Sequence, residues 1–217
     1  MTTLFVGDVH GCAEELQVLI DETQPSQVFL TGDLFSKGPL PCDVWEIIKE
    51  HSCLAVMGNH DHWFVTNYQS SRIKPGLREL LDRHPEVIAY INGLPFHRLI
   101  PTGNMNIVLI HAGVHPLLGV KGTDDEMAMV MRMFPMDGGN KHWYDSGWKG
   151  PELVVFGHDA RVGLVQRFEG TDRIALGLDT GCVYGGPLTG WVLETNEFVT
   201  AIPQRRYHKG SLGTTAG

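Results

Sequence analysis

The chain has no long apolar run: none of its hydrophobic segments approaches the ~20 residues that a membrane-spanning helix needs. It also has no basic N-terminal segment, because the first apolar residues lead directly to Asp8. A secretory signal peptide begins with positive charges followed by a longer apolar stretch. We therefore expect neither a membrane span nor a secretory leader.

Basic residues are few and scattered. The sequence contains 17 Lys and Arg residues against 25 Asp and Glu residues, which gives a formal net charge of −8. Binding to nucleic acids or to anionic membranes depends on clustered positive charge. The composition therefore predicts no general nucleic-acid binding and no membrane association.

Cysteine is also scarce and has no paired spacing. The four cysteines lie far apart in the sequence and form no CxxC motif: Cys12, Cys42, Cys53 and Cys182. Such a pattern is typical of reduced thiols, and it predicts a cytoplasmic location.

The 217 residues suit a single domain with inserted cap segments. We expect the domain to span residues 1–207, with caps over about 66–103 and 114–150. Residues 208–217, rich in Gly, Ser and Thr, are expected to form a disordered tail.

Short apolar runs predict an α/β fold. Five of them, each ending in a polar turn, indicate buried strands at 3–6, 27–30, 53–57, 107–110 and 153–156. Amphipathic helices over 14–22 and 39–50 separate the first three strands and predict parallel pairing with right-handed crossovers. Three further strands, at 174–178, 188–194 and 198–202, predict a mixed or second sheet. A helix is expected over 124–134 in the second cap.

A set of potential metal ligands follows the predicted strands. Ligands in open α/β sheets bind at the carboxyl ends of the strands. Turn chemistry accounts for Asp and Asn at such places, but His has no special role in turns. The candidates are Asp8, His10, Asp33, Asn59, His111 and His158.

The chemistry of these six residues favours two metal ions. Carboxylate, imidazole and amide groups suit Mn, Fe, Zn or Co, and they do not suit a thiolate site. Six ligands exceed what one catalytic ion with open positions needs, whereas two ions that share a carboxylate would use all of them. Such a pair is typical of displacement at phosphorus, and its positive charge would attract a phosphate anion.

The motifs that contain these residues resemble those of a known family. Residues 7–11, 32–33, 58–61, 111–113 and 157–158 resemble the ordered motifs of the calcineurin-like metallophosphoesterases, within the phosphoprotein phosphatase superfamily. Ser36 and Lys37 replace the usual Asp and Arg of the GDxxDRG block. Together with residues 178–186, this departure resembles the ApaH-like phosphatases and symmetrical diadenosine tetraphosphate hydrolases. The resemblance implies an αββα sandwich of two sheets flanked by helices.

The resemblance also implies the metal assignment. Asp8, His10 and Asp33 would hold one ion. The second ion would be held by Asn59, His111, His158 and the bridging Asp33. Manganese is the expected metal, with Co, Zn, Fe and Mg as alternatives. A hydroxide between the ions would attack the phosphorus atom.

Two further residues are predicted to act in catalysis. By resemblance, His60 would protonate the leaving group, and Asp61 would either orient His60 or anchor the turn. In the related phosphatases, an aspartate at the position of Ser36 stabilises the protonated histidine. A serine there predicts a lower pKa for His60.

Substrate contacts are expected from residues in the caps and loops. The alternative interpretation is a solvated surface position for Lys37, Arg132 and Lys141, and core packing for Tyr184. Trp143 and Trp148 are expected to pack in the core or cap. The candidates are Lys37, Arg132, Lys141 and Tyr184.

The implied activity is hydrolysis of phosphoanhydride bonds in dinucleoside polyphosphates, with diadenosine tetraphosphate yielding two ADP. The alternatives are a Ser/Thr protein phosphatase, a general phosphomonoesterase, a hydrolase of nucleotide caps or polyphosphate, and a non-catalytic binding protein that keeps the fold. The shortness of the chain and the altered GDxxDRG block weigh against the protein phosphatase.

Overall fold

A computed structural model describes residues 2–103 and 105–209. In chain order its strands are β1 (Thr3–Val6), β2 (Gln27–Leu30), β3 (Leu54–Ala55), β4 (His97–Pro101), β5 (Asn106–Ile110), β6 (Met133–Phe134), β7 (Lys141–His142), β8 (Leu153–Phe156), β9 (Val165–Glu169), β10 (Asp172–Gly177), β11 (Leu188–Val192) and β12 (Glu197–Ala201). Its helices are α1 (Ala13–Thr23), α2 (Pro41–Glu50), α3 (Asn59–Asn67), α4 (Pro75–Arg83), α5 (Val87–Asn92) and α6 (Asp125–Val130).

Two mixed five-stranded sheets form the centre of the described residues. The first has the order β12-β11-β1-β2-β3, with β1, β2 and β3 parallel and the other two antiparallel. The second has the order β4-β5-β8-β10-β9, with β5, β8 and β10 parallel. The predicted sandwich of two sheets flanked by helices is therefore confirmed.

The alternation of side chains along each strand explains the layers. In β1, Phe5 points between the sheets and stacks on Phe29, with ring centroids 5.0 Å apart. Its neighbours Leu4 and Val6 point to the opposite face, where α1 and α2 pack. In β5, Leu109 likewise faces the first sheet. Continuous apolar runs are therefore needed, because both faces of these strands are buried.

The two helices of the first layer begin and end close to the predicted positions. In α2, a proline occupies the first turn, where its missing N–H leaves no hydrogen bond unmade. Val44, Ile47 and Ile48 form the apolar face of α2 against the sheet. The parallel β1-α1-β2-α2-β3 unit brings the carboxyl ends of three strands to one edge.

The cap segments differ from the prediction. The helix predicted over 124–134 begins after Asp124, whose carboxylate accepts the N–H of Met127, and ends at Val130. It stops there because the chain turns into β6, which pairs with β7. The other segment contains α4 and α5, and the unpredicted edge strand β4 lies near its end.

The C-terminal part of the described chain lies against the fold. The backbone N–H groups of Tyr207 and His208 both donate to the carbonyl oxygen of Val183. The rest of the predicted tail, residues 210–217, lies outside the described residues. The division into one domain with two caps stays a prediction. None of the helices in the described ranges combines the length and the apolar composition that a membrane span requires.

Candidate metal centre

The six predicted ligands meet at the carboxyl ends of the central strands. They follow β1, β2, β5 and β8, and Asn59 begins α3 just after β3. Asp33 lies centrally: one carboxylate oxygen is 3.5 Å from Nε2 of His10, and the other is 3.7 Å from Nε2 of His111. Nδ1 of His158 is 3.1 Å from both Nε2 of His111 and Oδ1 of Asn59.

Three of these residues have strained backbones. His10, Asp33 and His158 have φ values of 48°, 53° and 71°. This left-handed region is unfavourable for residues with a Cβ atom, and strain of about 1–3 kcal/mol per residue persists mainly at functional sites. The strained turns direct the three side chains into the centre, so the fold maintains the site at the expense of stability.

Two glycines allow the backbone to approach the carboxylates. A Cβ atom on Gly58 would overlap Oδ1 of Asp33, and one on Gly157 would overlap Oδ1 of Asp8. The glycines beside the ligands in the sequence are therefore needed for space at the centre.

Hydrogen bonds to the backbone set the protonation of two histidines. Nδ1 of His111 is 2.8 Å from the carbonyl oxygen of Thr31 and donates to it. Nε2 of His158 is 3.2 Å from the carbonyl oxygen of Val130 and donates there. The other ring nitrogen of each histidine is thus left with a free lone pair, as metal ligation requires.

The donor atoms fit a divalent metal ion. Nε2 of His111, Nδ1 of His158 and Oδ1 of Asn59 are mutually 3.1 Å apart, and with these tautomers no proton lies between them. Three lone pairs at that separation repel each other unless a cation lies among them. One ligand atom each from Asp8, His10 and Asp33 also lies within 4.8 Å of the others, so the first predicted set is brought together too.

Burial supports neutral histidines at this centre. It lowers the pKa values of His10, His111 and His158, since a buried imidazolium loses its hydration. Burial raises the pKa of Asp8, and the nearby carboxylates of Asp179 and Asp33 raise it further. Ligation by neutral imidazole and ionised carboxylate would offset these penalties.

Ser36 contacts a different histidine from the one expected. Its Oγ is 3.0 Å from Nδ1 of His10, so it belongs to the metal centre and does not act on His60. The pKa of His60 is lowered to about 4, first by burial and also by Lys37, against the opposing effect of Asp33. The predicted direction of the shift is found, but the reason given for it was wrong.

Replacing Ser36 by alanine is expected to weaken one metal ion. The hydroxyl fixes the ring of His10, and loss of such a partner lowers metal affinity by about 10- to 100-fold. Metal titration followed by calorimetry measures the change, with Ser36→Thr as the control that keeps the hydroxyl. Equal affinities in the alanine variant and the wild type would contradict this role.

His60 lies at the edge of the centre. Its backbone N–H donates to Oδ1 of Asp33 over 2.8 Å, and its ring meets the ring of His10 edge-on. Asp61 is buried beneath the turn, and its two oxygens accept the backbone N–H groups of Leu34 and Gly58. These contacts favour the anchoring interpretation of Asp61 over orientation of His60.

A cavity of about 170 Å³ opens over the candidate ligands, and its lining carries three cations, Lys37, Arg132 and Arg161, beside three carboxylates, Asp33, Asp159 and Asp179. Lys37 extends into it, with Nζ 2.9 Å from Nε2 of His10 and 5.4 Å from the ring centroid of Tyr184. Arg132 donates to the carbonyl oxygen of His158 over 3.2 Å. Three of the predicted substrate contacts therefore line the cavity. Lys141 lies on β7 and is not among the described residues that line it.

Some residues of the cavity were not predicted. Asp159 lies between Arg132 and Arg161 and binds the guanidinium of Arg161 through two bonds of 2.8 and 3.1 Å. Asp179 lies near the carboxylate of Asp8, and burial raises the pKa of Asp179 to about 6. Asp179 follows a predicted strand just as the candidate ligands do, which is the signal that could have identified it. Trp143 and Trp148 are buried, as expected.

Comparison with known proteins places these features in a family. Residues 1–162 match the calcineurin-like phosphoesterase family. A protein of Erwinia tasmaniensis named symmetrical bis(5'-nucleosyl)-tetraphosphatase is 28% identical over 87% of this chain and 93% of its own length. A protein of Psychromonas ingrahamii with the same name is 34% identical, but the match covers 54% of this chain and 45% of the relative. The chain thus spans under half the length of that relative.

A solved structure agrees with these relatives. The crystal structure of a candidate diadenosine tetraphosphatase shares 32% sequence identity with this chain. The superposition covers 94% of both chains and has a TM-score of 0.79.

Proposed function

The chain belongs to the calcineurin-like phosphoesterase family, and we propose that it hydrolyses dinucleoside polyphosphates, cleaving diadenosine tetraphosphate into two ADP. The observation that supports this most directly is that the six candidate ligands converge next to a cavity into which Lys37, Arg132 and Arg161 bring positive charge. A centre that binds divalent ions next to arginine and lysine side chains suits a substrate with several adjacent phosphates. The names of the relatives point to the same substrate class.

The family implies divalent metal ions, and we propose two, with manganese as the first candidate and cobalt, zinc, iron and magnesium as alternatives. When bound, such ions would acidify a water molecule and withdraw charge from the phosphoryl oxygens. The mixture of imidazole, carboxylate and amide donors favours this group of metals. The cytoplasmic location stays a prediction.

The residues around the candidate ligands have separate roles in this proposal. Lys37, Arg132 and Arg161 line the cavity and would neutralise the phosphates beside the bond that breaks. Asp159 holds both arginines in place. His60 would donate a proton to the departing oxygen, because its ring lines the cavity at the edge of the candidate ligands.

The charge of the cavity favours a polyphosphate over a phosphorylated peptide. A phosphoserine has about two negative charges, whereas the phosphate chain of a dinucleoside tetraphosphate has more and spreads them over a greater length. Lys37, Arg132 and Arg161 lie around the candidate ligands and would contact more than one phosphate of such a chain. A phosphomonoester would use only the cations nearest the metal ligands.

A panel of substrates tests the proposal. Diadenosine tetraphosphate, a phosphoserine peptide, a capped nucleotide and inorganic polyphosphate would each be incubated with Mn²⁺, Co²⁺, Zn²⁺ or Mg²⁺. Products are separated by anion-exchange chromatography. We expect ADP to be the sole nucleotide product of diadenosine tetraphosphate. The kcat/KM for diadenosine tetraphosphate should exceed the kcat/KM for the phosphoserine peptide. ATP with AMP as products, or faster cleavage of the peptide, would contradict the proposal.

A further inference from the structure

A second cavity joins the first beside His60. It has a volume of about 560 Å³, and it shares Lys37, Asn59 and His60 with the cavity over the candidate ligands. From there it extends to residues of α3 and α4 and of the loop between them. Its other lining residues are Ser36, Trp63, Arg72, Lys74, Leu77 and His208.

The volumes of the two cavities suit different parts of a nucleotide. Pockets for drug-sized ligands usually measure about 300–1,000 Å³. The first cavity, at about 170 Å³, has room for phosphate groups but is smaller than this range. The second cavity lies within it and has room for a nucleoside as well.

Trp63 gives the second cavity an aromatic wall. Its side chain is 41% exposed, whereas the other four tryptophans are between 1% and 6% exposed. An exposed indole lining a cavity provides a flat apolar face on which a nucleobase can stack. Leu77 adds an apolar surface to the same cavity.

The charged residues of the second cavity are all basic. Lys37, Arg72 and Lys74 line it, and no acidic side chain does so among the described residues. In a chain with a net charge of −8, this local excess of cations is unusual. Lys74 and His60 line this same cavity. Phosphates bound at Lys74 would therefore share the cavity with the ring of His60.

We propose that the second cavity binds the departing nucleoside diphosphate, with the base on Trp63 and the phosphates at Arg72 and Lys74. His60 lies where the two cavities meet, so a phosphate chain that extends from one to the other passes its ring. The identity of the departing group rests on the proposed function. The volume, the aromatic wall and the charge of the cavity do not depend on that function.

Binding of ADP tests this site without turnover. Because Trp63 is the exposed tryptophan, saturable quenching of intrinsic fluorescence by ADP is expected in the wild type and should be lost in Trp63→Phe. Calorimetry should give a dissociation constant for ADP that is about 5- to 150-fold higher in Trp63→Ala, with a smaller change in Trp63→Phe. Unchanged fluorescence, or an unchanged dissociation constant in the alanine variant, would overturn the proposal.

A charge variant provides a second readout. Lys74→Ala should raise the dissociation constant of ADP and the KM for diadenosine tetraphosphate. Lys121→Ala is the matched control, because it removes the same charge from the border of a separate cavity. Equal changes in both variants would indicate a general charge effect and would contradict a site at Lys74.

The two proposals fail in different ways. If diadenosine tetraphosphate yields two ADP but ADP neither quenches Trp63 nor binds more weakly to the alanine variant, the subsite is wrong and the function stands. If ADP quenches Trp63 but the dinucleotide is not cleaved, the function is wrong. Melting curves of the variants check that each one folds.

Discussion

Replacing Asp33 by asparagine is expected to remove both metal ions together and nearly all hydrolysis with them. The two carboxylate oxygens of Asp33 face different histidines, at 3.5 Å from His10 and 3.7 Å from His111. An uncharged amide has only one oxygen atom, so it can no longer provide a metal ligand toward both histidines. Loss of a hydrogen-bond partner to a metal ligand lowers metal affinity by up to about 100-fold. Loss of the shared ligand Asp33 should lower metal affinity by more than that.

The fold of this variant should survive. Asparagine tolerates the left-handed backbone at position 33, and its amide oxygen can still accept the N–H of His60. The metal content after gel filtration is measured by mass spectrometry. Asp8→Asn is the matched control and should weaken one ion more than the other. Loss of a single ion from Asp33→Asn would show that this carboxylate is not shared.

The positions of the candidate ligands could be predicted because each follows a strand that is buried on both faces. Such strands need continuous apolar runs, and His111 and His158 interrupt the apolar pattern abruptly. Parallel pairing then brings the strand ends to one edge. The apolar runs and the parallel strand order therefore both predict that the candidate ligands lie at this edge.

The edge strands β4 and β9 could not be predicted, because they lack the apolar runs that mark buried strands. Along β4 the residues alternate between partly exposed and exposed, and β9 is mostly polar, so neither has a continuous apolar run. The pairing of these strands depends on neighbours far away in the sequence. The predicted helix over 124–134 is shorter in the structure because residues near its end form β6, which pairs with β7. That pairing could not be predicted from the helix segment alone, because β7 lies several residues farther along the chain.

Side-chain partners at the centre could not be derived from motifs. Ser36 lies in a turn from which the sequence permits contact with either His10 or His60. The turn contains Lys37 with φ of 73°, and this backbone brings the hydroxyl to His10. The cavity beside His60 likewise depends on how α3 and α4 pack, so Trp63 and Lys74 have no recognisable signature in the sequence.

Replacing His60 by asparagine is expected to lower kcat for diadenosine tetraphosphate by about 10²–10⁴-fold, the usual contribution of general acid–base catalysis. The ring lies between the two cavities, where a departing oxygen would need a proton. An activated aryl phosphate has a leaving group that is a weak base and needs little protonation. Its kcat should therefore fall much less in the same variant.

Metal content distinguishes this role from a structural one. The contact between His60 and Asp33 uses the backbone N–H, which asparagine retains, so the variant should keep the metal content of the wild type. Steady-state kinetics on both substrates and metal analysis of the same preparation are the measurements. Equal losses on the two substrates, or loss of metal, would show that His60 supports the centre. A loss confined to the substrate with the poorer leaving group places the proton donor at His60, because only that reaction depends on the proton.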